Sequence, residues 1–315
     1  MKKSHIRLLL LLLIFAITTL PSCTNISNNP PSADAFYAFT DDTGVQITLS
    51  KKPQRVAVLF SSFADVWISA GGTVSITVGE SVERGFADTD AILVDAGAGK
   101  TVNTELLIAS QPDFVICSAD VEKQVQAAKI LNGSGIPTAC FRIEAFSDYL
   151  RVLKICTDIT EDEVAYRKNG IAVKDRIDTM LSTLPTEEQA APDLLFVRAS
   201  ASSIKAKTAA HHFAAAMLEE LGAYNIANDA PILLDGLNDE VIVQKNPTFI
   251  FVSIMGNETA AREYIAQNAI WQTLSAVREG RCVYLPKELF QYKPNARWDE
   301  AYRYLIEFLY ETEQP

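Results

Sequence analysis

An ungapped internal repeat is the feature of this sequence that most restricts its fold. Residues 103–118 recur as residues 238–253, with asparagine, glutamate, proline, phenylalanine and serine at the same positions and aliphatic residues at many others. In each copy a short helix is predicted to begin near the asparagine, and the proline precedes an apolar run typical of a buried strand. Chance similarity between two helix–strand units is the alternative. The ungapped register favours two lobes of related design.

The chain around the repeat alternates short apolar runs with helical patterns, which indicates α/β units around mainly parallel sheets. The predicted strands of the first half are residues 55–60, 91–94, 114–117 and 138–141, and the predicted helices are residues 62–70, 104–109 and 121–131. The alternation begins again with a strand at residues 193–197. Each half therefore has the pattern of its own α/β lobe.

A long helical stretch separates the two halves. Residues 147–184 contain no proline and one glycine, Gly170, and their apolar residues recur at helical spacing. This stretch greatly exceeds the usual helix of about 11–12 residues. We predict one long backbone helix, either continuous or broken between residues 157 and 161. The predicted fold class is α/β, with two Rossmann-like lobes joined by this helix. The predicted boundaries are residues 36–145, 146–184 and 185–315.

The first 35 residues are typical of an export signal followed by a tether. Three basic residues precede the apolar run 8–20, which is shorter than the roughly 20 residues that span a bilayer as a helix. Residues 20–23 resemble a bacterial lipobox, in which Cys23 becomes the lipidated first residue. An ordinary secretory signal with a chance cysteine is the alternative. We predict a signal peptide over residues 1–22 and a flexible lipidated tether over residues 23–35, so that lipid alone holds an extracytoplasmic protein to the cell membrane.

Charge and cysteine content exclude some classes of function. The formal net charge of −11 becomes −14 without residues 1–22, because that segment carries three basic residues and no acidic one. An acidic body without a basic block argues against nucleic acid as a partner. Cys117, Cys140, Cys156 and Cys282 form no CxxC pair, and buried free thiols are favoured over ligands or catalytic groups. The sequence alone selects no disulfide pairing among them.

Metal-site and catalytic motifs are missing from the sequence. After the signal is removed, the histidines are His211 and His212, and adjacent helical residues point about 100° apart. No HExxH motif is present, so no metal site is predicted, and a surface role at a helix start is favoured for the pair. There is no GxSxG elbow, Walker loop or GxGxxG motif, and we predict that the protein is not an enzyme.

Candidate ligand contacts follow from the rule that α/β lobes bind ligands at the carboxyl ends of their strands. The selected residues are Ser62, Phe63, Gly97, Gly99, Lys100, Thr101, Arg198, Ser202, Lys205, Met255, Phe290, Tyr292 and Arg297. The glycine pair would let the backbone approach a ligand, although a plain turn is equally consistent. Arg198, Lys205 and Lys207 would place positive charge beside a cleft, although Lys207 fits better as a solvated surface lysine. The aromatic residues offer flat apolar surface.

Several segments together resemble the solute-binding proteins of iron–siderophore, haem and cobalamin ABC importers, the class with a helical backbone between two lobes. These segments are residues 39–44, 53–59, 103–105, 111–116 and 289–298. The resemblance covers nearly the whole mature chain and implies a ferric siderophore, haem or corrinoid clamped between lobes that undergo little hinge motion. It implies no cofactor, and it implies a monomer that delivers its ligand to an ABC permease dimer with ATPase subunits.

The resemblance also suggests roles for single residues. One acidic residue on each lobe would meet basic residues of the permease, and by position these are Glu105 and Glu240. The alternative is that both are first-turn carboxylates, which the helix dipole stabilises by about 0.3–1 kcal/mol. Tyr292 could ligate iron, or it could be a core tyrosine, and with haem one of the two histidines could be axial. A secreted two-lobed enzyme of tetrapyrrole or metal-chelate metabolism and an anchored sensory or adhesion module remain the rival functions.

Overall fold

The structure is a computed structural model that describes residues 35–95, 101–184 and 192–311. Its strands are β1 (Tyr37–Thr40), β2 (Gln46–Leu49), β3 (Val56–Val58), β4 (Ile76–Thr77), β5 (Ile92–Leu93), β6 (Phe114–Ser118), β7 (Thr138–Phe141), β8 (Asp193–Ser200), β9 (Ser203–Ala206), β10 (Tyr224–Asn225), β11 (Phe249–Ile254) and β12 (Cys282–Leu285). No helix within the described ranges has both the length and the apolar character needed to cross a bilayer.

Helices connect these strands in both lobes. They are α1 (Ser61–Ser69), α2 (Gly79–Glu83), α3 (Thr104–Ala109), α4 (Glu122–Gly133), α5 (Phe146–Thr160), α6 (Glu163–Tyr166), α7 (Ala172–Ser182), α8 (Phe213–Glu220), α9 (Ile232–Asp235), α10 (Asp239–Lys245), α11 (Glu258–Ala266), α12 (Ser275–Arg278), α13 (Lys287–Phe290) and α14 (Trp298–Ile306). A π-helical turn, Arg167–Ile171, joins α6 to α7, and another, Glu307–Glu311, follows α14.

Each lobe contains one mainly parallel sheet. The strand order is β5-β4-β3-β6-β7 in the N-terminal lobe and β10-β8-β11-β12 in the C-terminal lobe, where β9 pairs with β8 in the antiparallel direction. The antiparallel hairpin of β1 and β2 precedes the first sheet. The predicted fold class, two α/β lobes with mainly parallel sheets, is confirmed.

The internal repeat occupies equivalent places in the two sheets. Strand β6 lies between β3 and β7, and β11 lies between β8 and β12. The repeated asparagines both cap helices, because Asn103 accepts a hydrogen bond from the Leu106 amide (3.0 Å) and Asn238 accepts one from the Val241 amide (3.1 Å). Each cap satisfies an amide that the first helical turn leaves unpaired. The two lobes therefore share both the sequence pattern and the topology.

The segment between the lobes is helical but broken. Helix α5 ends at Thr160, the next residue Glu161 has a left-handed backbone (φ 59°), and the Asp162 side chain caps α6. The break is anchored to the end of α1, since the Thr160 hydroxyl and the Asn169 amide donate to its last carbonyls at 2.5 and 2.6 Å. The break falls at the end of the predicted interval, residues 157–161. It separates α5 from a second helical stretch, in which the π-helical turn joins α6 to α7.

Alternating side chains divide the apolar residues into three cores. The inner faces of both sheets and the connecting helices enclose one shared core, which includes Val58, Phe114, Phe141, Leu153, Ile177, Phe196, Phe251, Trp298 and Leu305. Each sheet has a separate outer core on its other face. In β8, for example, Leu194 and Phe196 point to the shared core, whereas Leu195 and Val197 point to the outer one. A continuous, close-packed apolar core between the lobes opposes hinge motion.

Candidate functional site

The inner faces of the sheets become polar at the carboxyl ends of their strands. In β8 the alternation that buries Leu194 and Phe196 places Arg198 on the same face. The serines of the internal repeat follow the same alternation, since Ser118 is the last residue of β6 and Ser253 is the residue before the last of β11. Ligands of parallel α/β sheets meet this edge, so the edge shared by the two lobes is the candidate site.

Four basic residues of the C-terminal lobe, which we call the cationic cluster, gather at this edge. They are Arg198, Lys205, Lys207 and Lys293. Arg198 lies opposite Lys205 in the β8–β9 ladder, and directly opposed residues share a face of the sheet. The Lys207 amide donates to the Phe196 carbonyl (3.0 Å), which continues the pairing on that face. Lys293 comes from the loop after α13, and its charge acts on Arg198 and on the neighbouring His212.

The two most enclosed cations of this cluster have no anionic partner within bonding distance. No described residue forms a hydrogen bond or ion pair with the Arg198 guanidinium, whose Nε is buried. The Lys293 ammonium lies 4.7 Å from the centre of the Phe213 ring. Burial lowers the pKa of Arg198 and also that of Lys293. The carboxylates of Asp120, Glu144 and Asp148 partly offset the effect of burial on Lys293, whereas burial alone acts on Arg198. Because a partly buried cation without a counter-ion is unfavourable, Arg198 in particular is suited to an anion that binds from outside.

His212 supports the cluster as a neutral residue. Its Nδ1 accepts a hydrogen bond from the Ala214 amide (3.1 Å) and caps α8, and its ring lies 4.9 Å from both Phe196 and Phe213. Burial, followed by the charges of the cluster, lowers the pKa of His212 to about 3. With Nδ1 engaged, the proton of the neutral ring lies on Nε2, so His212 offers no free nitrogen to a metal. His211 is exposed. His212 lies at a helix start as predicted, but its ring packs between Phe196 and Phe213 rather than on the surface.

Arg84 of the N-terminal lobe reaches across to the loop that carries Lys293. Its Nη1 donates to the Ser61 hydroxyl (2.8 Å), and that hydroxyl donates to Glu80 (2.5 Å). The guanidinium lies 3.7 Å from the centre of the Tyr292 ring and 4.7 Å from that of Phe86. This cation–π contact covers one face of Tyr292. Tyr292 therefore joins the lobes at the edge of the site.

Asn295 forms a second link between the lobes. Its Nδ2 donates to the Ser62 carbonyl and to the Asp65 carboxylate, both at 2.8 Å, so that it ties the loop before α14 to helix α1. Asn295 is fully buried and adopts a left-handed backbone (φ 50°), a conformation that asparagine tolerates better than most residues. Burial raises the pKa of Asp65. These bonds fix the position of the loop that presents Lys293.

Four of the residues predicted to contact the ligand do not present their side chains to the candidate site. The side chains of Phe63 and Phe290 are 5% and 0% exposed and pack in the shared core, so their rings offer no open surface to a ligand. Ser62 is also buried, and its carbonyl serves Asn295. Arg297 is exposed and pairs with Glu300 at 2.8 Å. These four residues build or border the loops of the site.

The other predicted residues divide into exposed ones and undescribed ones. Ser202, in the β8–β9 turn, is exposed, and so is Met255, which follows β11 and is 42% exposed. Thr101 is exposed, and its hydroxyl accepts a bond from Lys123 (3.3 Å). Gly97, Gly99 and Lys100 lie outside the described residues. From the predicted set, the structure thus pairs Arg198 with Lys205 across the β8–β9 ladder and places Tyr292 against Arg84, directly before Lys293 in the chain.

Sequence reasoning did not select Arg84 or Lys293. Lys293 directly follows Tyr292, and its position in the segment after the last strand of the sheet is the signal by which the rule for strand ends could have found it. Helix α2, which carries Arg84 just beyond its end, spans only Gly79–Glu83. A helix this short shows no periodicity by which sequence alone could identify it.

A cavity of about 270 Å³ lies between α5, α7, α8 and α14. Phe213, which contacts Lys293, forms part of its wall, together with Leu150, Ile177 and Trp298. None of the four cations of the cluster lines it. The cationic cluster at the strand ends therefore fits an anionic ligand better than this mainly apolar cavity does.

The glutamates of the repeat lie at the same edge as the cluster. Glu105 and Glu240 are exposed residues in the first turns of α3 and α10. Both helices lead back to the start of a parallel strand, so their amino ends lie at the carboxyl edge of the sheet. Neither glutamate is in an ion pair among the described residues. One unpaired carboxylate is thus displayed on each lobe.

Comparisons with solved structures show the same fold in several bacterial proteins. The iron uptake ABC transporter substrate-binding protein PiuA from Streptococcus pneumoniae is 16% identical, with coverage of 89% of this chain and 99% of that chain and a TM-score of 0.68. Staphylococcus aureus SirA, solved with staphyloferrin B, is 18% identical over 87% and 97% of the two chains (TM-score 0.63). S. aureus IsdE, solved with heme, is 15% identical over 81% and 98% (TM-score 0.63).

A family model supplies the assignment that these distant structural similarities do not. No protein in the curated set matches this sequence. The model described as "Periplasmic binding protein" matches residues 56–289, a range that begins at β3 and extends into α13 and so includes most of both lobes. With this match and the two-lobed architecture, the chain belongs to the periplasmic binding protein family.

Proposed function

We propose that this protein is the extracytoplasmic solute-binding component of an ABC importer and that it binds an anionic iron complex between its lobes. The family consists of solute-binding proteins that serve transport. The observation that carries the choice of ligand is the unpaired, partly buried Arg198 beside Lys293 and two further lysines. Arginine presents a planar fork of donors that matches carboxylate or catecholate oxygens.

Ferric siderophores fit this site better than haem does. A siderophore already supplies all the ligands of its iron, so the protein needs to provide only charge and hydrogen bonds to the outer oxygens. Haem usually takes an axial ligand from the protein, but His212 is committed as a helix cap and Arg84 covers one face of Tyr292. The structural neighbours include siderophore complexes, those of SirA and BauB, and the haem complex of IsdE, so the choice of a siderophore rests on the residues of this site. Haem and corrinoids remain the competing ligands.

Delivery to a permease gives a role to the two unpaired glutamates. Glu105 and Glu240 would each meet basic residues on one half of a permease dimer that acts with ATPase subunits. Exposed charges of this kind affect the orientation and rate of association more than folding. The protein is proposed to act as a monomer, since a two-lobed donor already presents one charge to each half of such a dimer.

Membrane attachment is proposed to depend on Cys23. Residues 1–22 would be removed as a signal peptide, and residues 23–35 would form the lipidated tether. The proposed boundaries of the following parts are residues 36–145 for the first lobe, 146–184 for the connecting helices and 185–315 for the second lobe. The basic start, the short apolar run and the lipobox-like sequence support this arrangement.

The proposed function is tested by titration with four probes: an anionic ferric tris-catecholate, a neutral ferric tris-hydroxamate, haemin and cobalamin. Quenching of tryptophan fluorescence reports binding, and chromatography of the released ligand reports any turnover. We expect the catecholate complex to bind most tightly, with an affinity that falls as salt increases, and to be recovered unchanged. Equal binding of the neutral complex would contradict the role of charge. Chemical conversion of the ligand would indicate an enzyme.

A further inference from the structure

Two cysteines lie side by side in the N-terminal lobe. Cys117 of β6 and Cys140 of β7 are direct partners in the parallel register of these strands. Both side chains belong to the outer core of that lobe, together with Leu59 and Leu131, and are 0% and 1% exposed. The two thiols therefore project from adjacent strands onto the same face of one sheet.

The spacing of neighbouring strands suits a disulfide. Paired strands lie about 4.7–4.9 Å apart, and disulfides join residues whose Cα atoms are about 4.4–6.8 Å apart. The other described cysteines are in different cores, Cys156 on α5 in the shared core and Cys282 beside the outer core of the C-terminal lobe. The register thus selects one pair from the four cysteines, which the sequence alone did not allow.

We propose that Cys117 and Cys140 form a disulfide in the exported protein. The inference rests on the proposed extracytoplasmic location, because disulfides persist in oxidising compartments. The oxidant is a protein disulfide of the thiol-oxidase class. One cysteine thiolate attacks the oxidant disulfide and releases one of its sulfurs as a thiolate, and the second cysteine thiolate then attacks the mixed disulfide. Two protons and two electrons leave the pair, its S–S bond forms, and the oxidant is left as a dithiol.

We expect the Cys117–Cys140 disulfide to form while the chain folds rather than after folding is complete. The neighbouring Cys140 thiol and burial raise the pKa of Cys117 well above its usual value, and the thiolate is the reactive form. The folded dithiol is therefore unreactive, whereas the newly exported chain exposes both groups. The bond would close the β6–α4–β7 unit, residues 117–140, and so restrict the unfolded chain.

Thiol counting on the native protein tests the inference. The protein is purified from its host membranes, denatured, and labelled with a maleimide-linked polymer before and after reduction. We expect two additional labels after reduction, and peptide mapping should show the segments around Cys117 and Cys140 joined, with the loss of two hydrogens. The increase should persist in Cys156→Ser and disappear in Cys117→Ser. The same number of labels before and after reduction would overturn the disulfide.

Protease treatment of spheroplasts, in which the layers outside the cytoplasmic membrane have been opened, separates this inference from the proposed function, because it reaches both surface and periplasmic proteins. A protein that is accessible from outside, yet has the same number of free thiols before and after reduction, refutes the disulfide and leaves the transport function standing. A protein protected inside the cytoplasm refutes the location on which both proposals rest. As a kinetic check, oxidised glutathione should form the bond when present during refolding of the reduced chain, and should act much more slowly on the folded dithiol.

Discussion

The unpaired guanidinium of Arg198 makes Arg198→Ala an informative substitution. In the ligand-free protein Arg198 forms no hydrogen bond or ion pair with a described residue, and burial lowers its pKa. Its removal leaves no protein group without a partner and relieves repulsion between Arg198 and Lys293. We expect the free energy of unfolding without ligand to change by about 0.5 kcal/mol or less, as at sites that lack specific interactions.

The affinity for an anionic ligand, in contrast, should fall markedly in Arg198→Ala. A hydrogen bond to a charged group contributes about 1.5–3 kcal/mol, so the loss of the guanidinium should weaken binding of an anionic ferric chelate about 10- to 150-fold. Arg198→Lys keeps the charge but loses the planar fork, and its affinity should be intermediate. The loss of ligand affinity caused by Arg198→Ala should be smaller at high salt, because ions then screen the attraction between the wild-type guanidinium and the anionic ligand.

The assay combines fluorescence titration with thermal unfolding of the ligand-free protein. Arg297→Ala is the matched control, since Arg297 is an exposed arginine of the same lobe that pairs with Glu300, and its affinity should stay within about twofold of wild type. Unchanged affinity in Arg198→Ala would refute the anion site. A marked fall in melting temperature that accompanies the loss of binding would show instead that Arg198 has a structural role.

Three further changes test the remaining proposals. Glu105→Lys combined with Glu240→Lys should abolish uptake by cells with ligand affinity nearly intact, and loss of ligand binding would place these residues in the ligand site instead. Cys23→Ala should move the protein from the membrane to the soluble fraction, and unchanged membrane retention would exclude the lipid anchor. Asn295→Ala, which removes both bonds to α1 and leaves Asp65 buried without that donor, should lower the free energy of unfolding by about 1–3 kcal/mol in denaturant titrations; an unaltered midpoint would show that this link contributes little.

Much of the fold follows from patterns that are local in the sequence. The helix at residues 104–109 and the strand at residues 138–141 have their predicted bounds, because caps and apolar runs act within a few residues. The hairpin of β1 and β2, strand β4 and helix α2 were not predicted, since elements of two to five residues are too short to show periodicity.

Part of the site could also be predicted from the sequence. Arg198 was selected because it follows four apolar residues of a strand, and the alternation of that strand then places it on the inner face. Lys205, which lies opposite Arg198 in the structure, was also predicted from the sequence as a ligand contact. The sequence by itself also determined that two related lobes exist, since the repeat with its capping asparagines and strand-forming runs can be recognised without knowledge of any long-range contact.

Only the tertiary structure decided which side chains remain available to a ligand and which residues distant in the sequence meet. Phe63 and Phe290 follow strands as ligand contacts would, yet the packing of the lobes against each other encloses both rings. Lys293 joins Arg198, and Cys117 meets Cys140, through contacts between residues distant in the chain. Periodicity in the sequence reveals the face of a helix or strand on which a residue lies. Which residues pack against that face depends on how whole sheets and helices are arranged, and this packing joins parts of the chain that no local pattern relates.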